Sequence, residues 1–298
     1  MQQRQYNYLP IGMSDLPSRG LIYPPGAYIK GRFLTVQDVK FLSLLSEATA
    51  ETIINEILSR CFDTNLDLDE LALCDRTYLV FWLRANSFMK ENGYRVSISR
   101  CQSCHRPFDF TIKLDDLPIK YLERPPGEVV LPRSGKTIQL KLPTVKDLRI
   151  VDDDHDVQRI ARMIDVVDPV AFTLSLKAMD FAFLLHIADE FDVGFDMKFE
   201  PECPHCHGAN HLVCVISESS LFGQINMRDI ISLSMKITKY LTYQIGDDTP
   251  WPEFEMIAEL TNAMIKEENE EMQKQEAAAK AKAQAAQSQA RASSYRRH

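Results

Sequence analysis

Apolar residues recur at helical spacing in two separate segments, one in the first third of the chain and one near its middle. Steps of three and four residues place these side chains on one face of a helix, so both segments are predicted to be helices that pack against a core. The apolar positions are Leu71, Cys74, Tyr78, Phe81, Ala85 and Phe88 in the first segment and Leu174, Ala178, Phe181, Leu185 and Ala188 in the second.

A short run of alternating apolar and polar residues follows each predicted helix, at residues 94–98 and 195–199. Alternation with a period of two is typical of a half-buried strand, so one strand is predicted at each place. A Cys-x-x-Cys sequence follows each of these strands.

Two further motifs precede the helices in the same order in both halves of this region. Leu-Pro-x-x-Gly occupies residues 16–20 and 131–135, and a Thr-Val-x-Asp sequence begins at Thr35 and again at Thr144. An Asp three residues after a Thr is typical of a helix N-cap, because both side chains can accept hydrogen bonds from unpaired amides there. Two helices are therefore predicted to begin at these threonines. The repeated order predicts an α+β fold made of two diverged repeats.

Beyond residue 220 the pattern predicts helices only. Their apolar stripes either bind another chain or pack on the repeats. From Lys266 onward the sequence is rich in Glu, Gln, Lys and Ala, which predicts a disordered tail or a free helix. The stripes are Ile230, Leu233, Ile237 and Leu241 in one helix and Phe254, Ile257, Leu260 and Ile265 in the next.

These patterns divide the chain into four regions. Residues 1–125 form repeat 1 with the first cysteine turn, and residues 126–220 form repeat 2 with the second turn. Residues 221–265 form a helical C-terminal region, and residues 266–298 form the charged tail.

Composition narrows the possible partners. The chain has 298 residues, 45% of them hydrophobic, and a formal net charge of -8. Such a charge repels phosphate backbones, so no nucleic-acid partner is predicted. The longest apolar runs are far shorter than the roughly 20 residues that a membrane span requires, so no membrane partner is predicted either.

Four of the seven cysteines form two close pairs, Cys101 with Cys104 and Cys203 with Cys206. Two residues between cysteines allow both thiolates to face one metal ion, and two such turns complete a tetrahedral Cys₄ shell. The sequence therefore predicts one structural zinc ion that joins the repeats like a zinc ribbon. An iron-sulfur or other metal, or reduced thiols without metal, are the alternatives.

The neighbouring histidines, His105, His207 and His211, are predicted not to bind the metal, because four cysteines already fill the shell. Cys61, Cys74 and Cys214 lie in apolar runs and are predicted to be small buried hydrophobic residues. The acidic run at residues 152–156 is predicted to be a solvated connector. The sequence contains no phosphate loop, dinucleotide fingerprint or nucleophile elbow, so we expect no enzyme activity.

The order of these features resembles that of the baseplate hub and hub-assembly proteins of contractile-tailed, T-even-type bacteriophages. The resemblance covers residues 16–265 and rests on short motifs and their order. Those motifs are the Leu-Pro-Ser-Arg-Gly segment at residues 16–20, the Leu-Thr-Val-Gln-Asp segment at 34–38, the Leu-Cys-Asp-Arg segment at 73–76, the two cysteine pairs and the helical C-terminal region.

The resemblance implies a structural or assembly role at the centre of a phage tail baseplate, through contacts with other baseplate or hub proteins. It implies a location in the host cytoplasm during assembly and, for a permanent component, in the virion. The partner's identity and the oligomeric state stay open. The alternative function is a zinc-ribbon adaptor for nucleic acid or the transcription machinery, which would need clustered Lys and Arg around the cysteine turns.

Overall fold

The structure is a computed structural model that describes residues 7–88, 93–213, 216, 218–222 and 225–295. Helices alternate with short antiparallel strands along this part of the chain, which confirms the predicted mixture of helix and sheet. Cys214 lies outside the described residues.

The N-terminal unit, residues 7–88, packs three helices against a three-stranded antiparallel sheet in the order β1-β2-β3. Its third helix lies where the first helix is predicted, but its fully buried residues Leu79 and Leu83 are outside the predicted stripe, of which Phe81 is buried. The strands are β1 (Leu9–Ile11), β2 (Ile29–Gly31) and β3 (Phe62–Thr64), and the helices are α1 (Val36–Leu42), α2 (Ala50–Cys61) and α3 (Leu73–Ser87), with 3-10 turns at Met13–Asp15 and Leu68–Glu70.

Two hairpins and one further pair of strands lie outside the N-terminal unit. The two strands of the further pair, β6 and β9, are far apart in the sequence. β4 pairs with β5 around the first cysteine turn, and β10 pairs with β11 around the second. The predicted strand at residues 195–199 is wrong as one element, because β9 pairs with β6 whereas β10 pairs with β11. The strands are β4 (Gly93–Ile98), β5 (Phe108–Lys113), β6 (Ile119–Lys120), β9 (Gly194–Phe195), β10 (Lys198–Phe199) and β11 (Leu212–Val213), with a 3-10 turn at Leu114–Asp116.

The middle unit, residues 128–190, has a hydrophobic core of its own around Leu131, Ile160 and Leu184. The second predicted helix is divided here: Leu174 ends one helix and Ala178 begins the next. Its elements are the hairpin of β7 (Glu128–Val130) and β8 (Thr137–Gln139) and the helices α4 (His155–Met163), α5 (Pro169–Leu174) and α6 (Ala178–Glu190).

Both predicted N-cap threonines form a complete capping box with the aspartate three residues on. Thr35 begins α1 as predicted, but Thr144 begins only the 3-10 helix Val145–Arg149, which ends at once in extended backbone. The α-helix that follows has a separate cap. Asp154, from the acidic run, accepts hydrogen bonds from the amides of Asp156 and Val157 at the start of α4.

Corresponding positions of the two units make corresponding contacts. The amide of Ser18 donates to Asp75 in α3 at 2.9 Å, and the amide of Arg133 donates to Asp180 in α6 at 2.7 Å. Each contact lies in a turn with a left-handed glycine, at φ 69° and 67° respectively. The cap aspartates are matched as well, since Arg32 binds Asp38 at 2.7 Å and Lys141 binds Asp147 at 2.6 Å.

The C-terminal helices pack on the N-terminal unit. Ile230, Ile237 and Phe254 are buried in the same core as α1 and α3. The amide of Trp251 donates to Leu34 at 2.7 Å, so the start of the last helix is attached to the chain just before α1. The first stripe, and Phe254 and Ile257 of the second, therefore pack in this core, whereas Leu260 of the second stripe is 57% exposed. The helices are α7 (Glu218–Leu221), α8 (Met227–Leu241) and α9 (Trp251–Tyr295).

α9 extends far beyond that packing surface. The predicted boundary at residue 266 falls inside this helix, whose side chains are exposed at residues 266–281. Among the helices of the described residues, none combines the length and the apolar composition needed to cross a membrane.

Candidate metal centre

The two cysteine turns have the same backbone geometry. In the first, the amide of Cys101 donates to Arg106 at 2.9 Å and the amide of His105 donates to Cys101 at 3.1 Å. In the second, the amide of Cys203 donates to Gly208 at 3.0 Å and the amide of His207 donates to Cys203 at 2.9 Å. His105 and His207 both adopt left-handed backbone angles, with φ of 59° and 56°. Each turn thus closes tightly, so that both of its cysteines lie at one end of their hairpin.

The structure brings all four predicted cysteines together. The Sγ atoms of Cys101 and Cys206 lie 3.8 Å apart, and those of Cys104 and Cys203 lie 3.7 Å apart. All four sulfur atoms lie within 4.8 Å of one another. A tetrahedral zinc ion with Zn–S bonds of about 2.3 Å requires sulfurs about 3.8 Å apart, so the residues present fit such an ion.

The cluster joins the first cysteine of each turn to the second cysteine of the other. Cys101 and Cys203 are fully buried, and Phe108 packs beside them. The rings of Phe110 and Phe199, one from each hairpin, lie 6.1 Å apart. The two hairpins therefore meet through an apolar contact as well as through the sulfurs.

Gln102 and Asn210 connect the two turns by hydrogen bonds. The amide of Gln102 donates to the side chain of the fully buried Asn210 at 2.8 Å, and the Gln102 side chain binds both backbone groups of His211. Sequence reasoning missed this pair. The only signal was a polar residue inside the first turn and another just past the second, which is common in loops and points to no partner.

The nearby histidine rings make contacts away from the sulfurs. The ring of His105 lies 3.2 Å from the carbonyl oxygen of Cys101, and that of His211 lies 2.9 Å from Glu200. His207 faces Glu202 at 3.5 Å, with most of its ring exposed. That the cysteines alone form the metal shell stays a prediction.

The turns also alter the acidity of the thiols. Hydrogen bonds from the backbone amides of Cys104 and Ser103 lower the pKa of the Cys101 thiol to about 6. The amide of Gly208 lowers the pKa of Cys206, but burial and the other three sulfurs outweigh it and raise that pKa to about 11. The thiol of Cys101 therefore loses its proton more readily than an ordinary cysteine thiol. A divalent cation is the group that would stabilise the remaining sulfurs as thiolates.

Charges of both signs surround the first turn and the second. Arg95 pairs with Asp109 across the first hairpin, and the glutamates Glu200 and Glu202 flank the second turn. The cations next to the first turn are Arg95, Arg100 and Arg106, and the charge of Arg95 is paired with Asp109.

Comparison with known proteins gives one match. The family model described as T4 bacteriophage base plate protein matches residues 13–222, more than two thirds of the chain. The matched segment contains the N-terminal and middle units and both cysteine turns, and it ends before α8. No curated protein and no solved structure matches.

Proposed function

The chain belongs to the T4 bacteriophage base plate protein family, and from that premise we propose that it is a structural or assembly protein of the baseplate hub. It acts through contacts with other baseplate proteins and contains one structural zinc ion at Cys101, Cys104, Cys203 and Cys206. The observation that carries the proposal is the convergence of these four sulfurs, within 4.8 Å of one another, from turns about one hundred residues apart.

Zinc is the ion that the donor set favours. Four thiolates at tetrahedral spacing are typical of structural zinc sites, and they leave no open position for water or substrate. Such a site holds chain segments together and performs no reaction. We therefore propose a non-enzymatic role.

The zinc ion would join two units of common origin. We propose that the N-terminal and middle units are diverged copies of one α+β unit, each followed by a cysteine hairpin. The matched turns at Gly20 and Gly135, the matched aspartates Asp75 and Asp180, and the two capping boxes support this proposal. A metal link between the units would keep their relative orientation fixed.

Zinc content tests the site directly. Protein purified under reducing conditions without chelator should contain one zinc ion per chain by elemental analysis, because two pairs of thiolates complete one shell. Iron with visible absorbance would indicate the iron-sulfur alternative. Two zinc ions per chain, or none, would contradict a shared site.

The hub role is tested in infected cells. A phage with an amber mutation in this gene should produce tails or tail precursors without complete baseplates under the electron microscope, and a plasmid copy should restore them. Normal infectious particles without the protein would contradict the proposal. Nucleic acid that co-purifies with the chain and is degraded by added nuclease would support the adaptor function instead.

A further inference from the structure

α9 continues well past the surface on which it packs. Among the α9 side chains whose burial the structure describes, up to residue 281, Thr261 is the last fully buried one, and from Asn262 to Ala281 every side chain is exposed except that of Ile265, which is partly buried. The helix continues to Tyr295. This free arm, residues 262–295, is about 51 Å long at a rise of about 1.5 Å per residue.

The two halves of the free arm have opposite charge. Residues 262–276 contain five glutamates and two lysines, whereas residues 277–295 contain three basic residues and no acidic residue. Lys266 and Glu270 form one ion pair of the i,i+4 type at 4.0 Å within the first half. Glu276 and Lys280 are the one oppositely charged pair at i,i+4 spacing that joins the two blocks, and the other charges of the blocks lie too far apart along the helix axis to pair within one helix.

Apolar or small residues recur every seven positions along the arm, at Ile265, Met272, Ala279 and Ala286. A seven-residue period is the pattern of a helix seam that packs on another helix. The alanines at its centre would allow two helix backbones to approach closely. The seam is too weakly apolar to select a partner alone, so the charge pattern decides its orientation.

We propose that the free arm pairs in antiparallel orientation with the free arm of a second copy of this chain, with the twofold axis near Ala279. The midpoint of residues 262–295 lies between residues 278 and 279, so full overlap of the two arms places the axis there. This arrangement sets the acidic half of each arm against the basic half of the other, and the same patch on both copies forms a closed dimer.

Parallel pairing is excluded by the same features. It would place acidic residues against acidic residues, and both folded bodies would meet at the same end of two helices only about 10 Å apart. Antiparallel pairing instead separates the bodies by the length of the arm. The proposal does not rest on the zinc site or on the baseplate role, since it concerns the purified chain alone.

Sedimentation equilibrium of the full-length protein tests the association. We expect a dimer that weakens at least tenfold when sodium chloride rises from about 0.05 to about 0.5 M, because exposed charges are screened. The double variant Lys280→Glu, Lys282→Glu should weaken the dimer by a similar factor. The matched control Lys236→Glu, Lys239→Glu on α8 should leave it unchanged. A monomer at every concentration would overturn the proposal and leave α9 a single helix.

Cysteine cross-linking tests the orientation. Ala279→Cys should give a disulfide-linked dimer under mild oxidation, because the two copies of this position meet at the axis. Met272→Cys lies on the same seam, but in the antiparallel dimer its two copies are about 21 Å apart and should not cross-link. Ala281→Cys, on the opposite side of the helix, is the control for random contact. Cross-linking of Met272→Cys as efficient as that of Ala279→Cys would overturn the antiparallel arrangement.

Discussion

Asp75 is a buried carboxylate near the start of α3 that ties the N-terminal turn to the helix. It accepts the amide of Ser18 at 2.9 Å and the hydroxyl of Tyr23 at 2.6 Å. The matched residue Asp180 accepts the amide of Arg133, but within the described residues its other oxygen, Oδ2, has no hydrogen-bond partner. The difference follows from the sequence, because Ile138 stands where Tyr23 does, counted from the shared Leu-Pro motif.

Titration of Asp75 should make stability depend on pH. Burial raises the pKa of this carboxyl group above its ordinary value of 3.8, although hydrogen bonds from Ser18 and Tyr23 lower it in part. The folded state therefore holds the proton more tightly than the unfolded state. The resulting stabilisation is complete below pH 3.8 and is lost as the pH rises through the folded-state pKa.

The variant Asp75→Asn isolates this effect, because it cannot titrate. The free energy of unfolding of the natural protein, relative to that of the variant, should decrease as the pH rises above 3.8. Urea unfolding of both proteins at several pH values measures the difference, in which any loss of metal at low pH cancels. A difference that stays constant with pH would mean that Asp75 has an ordinary pKa in the folded state.

Cys203 is the buried thiol that pairs with Cys104 at 3.7 Å, so its loss should affect metal binding and stability together. Cys203→Ser leaves three thiolates. A hundredfold weaker site lowers the free energy of unfolding by about 3 kcal/mol when zinc is available. Zinc analysis and thermal unfolding should therefore change in parallel. Cys61→Ala, in the core of the N-terminal unit, is the control: it should lower stability but retain zinc. Full zinc content in Cys203→Ser would rule out this ligand.

At the level of elements, the capping box of α1 stabilises the point where the C-terminal helix attaches. Thr35 is buried, accepts the amide of Asp38 and donates to its carboxylate. Thr35→Ala should lower the free energy of unfolding by about 1–2 kcal/mol, measured by urea titration. Thr52→Ala, on the exposed face of α2, should change it by less than about 0.5 kcal/mol. Equal changes in the free energy of unfolding at both sites would show that the capping box does not stabilise the protein.

Local signals in the sequence predicted the elements that depend on local interactions. The Thr-x-x-Asp pattern identifies both capping boxes because all the atoms involved lie within four residues. It does not reveal that the helix after Thr144 stops after one 3-10 turn, since that depends on the extended chain that must reach α4. Cysteine spacing likewise identified the four sulfurs, whereas the Gln102–Asn210 contact joins residues whose proximity only the fold creates.

Hydrophobic periodicity predicted α8 and α9 but not what their apolar faces touch. A stripe such as Ile230 and Ile237 looks the same whether it packs inside the molecule or against another chain. The deciding contacts are long-range, for example the amide of Val36 with the carbonyl of Thr249 at 2.9 Å. Because this stripe is buried, a partner protein can contact only the outer faces of α8 and α9.

At the scale of the whole molecule, two sets of long-range contacts, here called closures, bring distant parts of the chain together. The cysteine turns bring the end of the middle unit back to the hairpin that follows α3, and α9 returns to the start of α1. The second closure falls on the N-terminal unit, whose core contains residues from Ile11 to Ala258, and the first falls on the hairpin that follows this unit. The free arm is the part of α9 that takes no share in either closure.

The two parts of α9 should therefore differ sharply in their effect on stability. A chain that ends at Glu271 loses residues 272–281, whose side chains are exposed, and a following sequence with almost no large apolar residues, so its thermal unfolding midpoint should match that of the full-length protein at low concentration. Phe254→Ala instead empties a fully buried site beside Trp251, whose ring lies 4.8 Å away, and should cost about 3–5 kcal/mol. Calorimetry of both variants measures the contrast. A large loss of stability on truncation would show that the free arm packs on the body, because only a packed segment can lower the midpoint when it is removed.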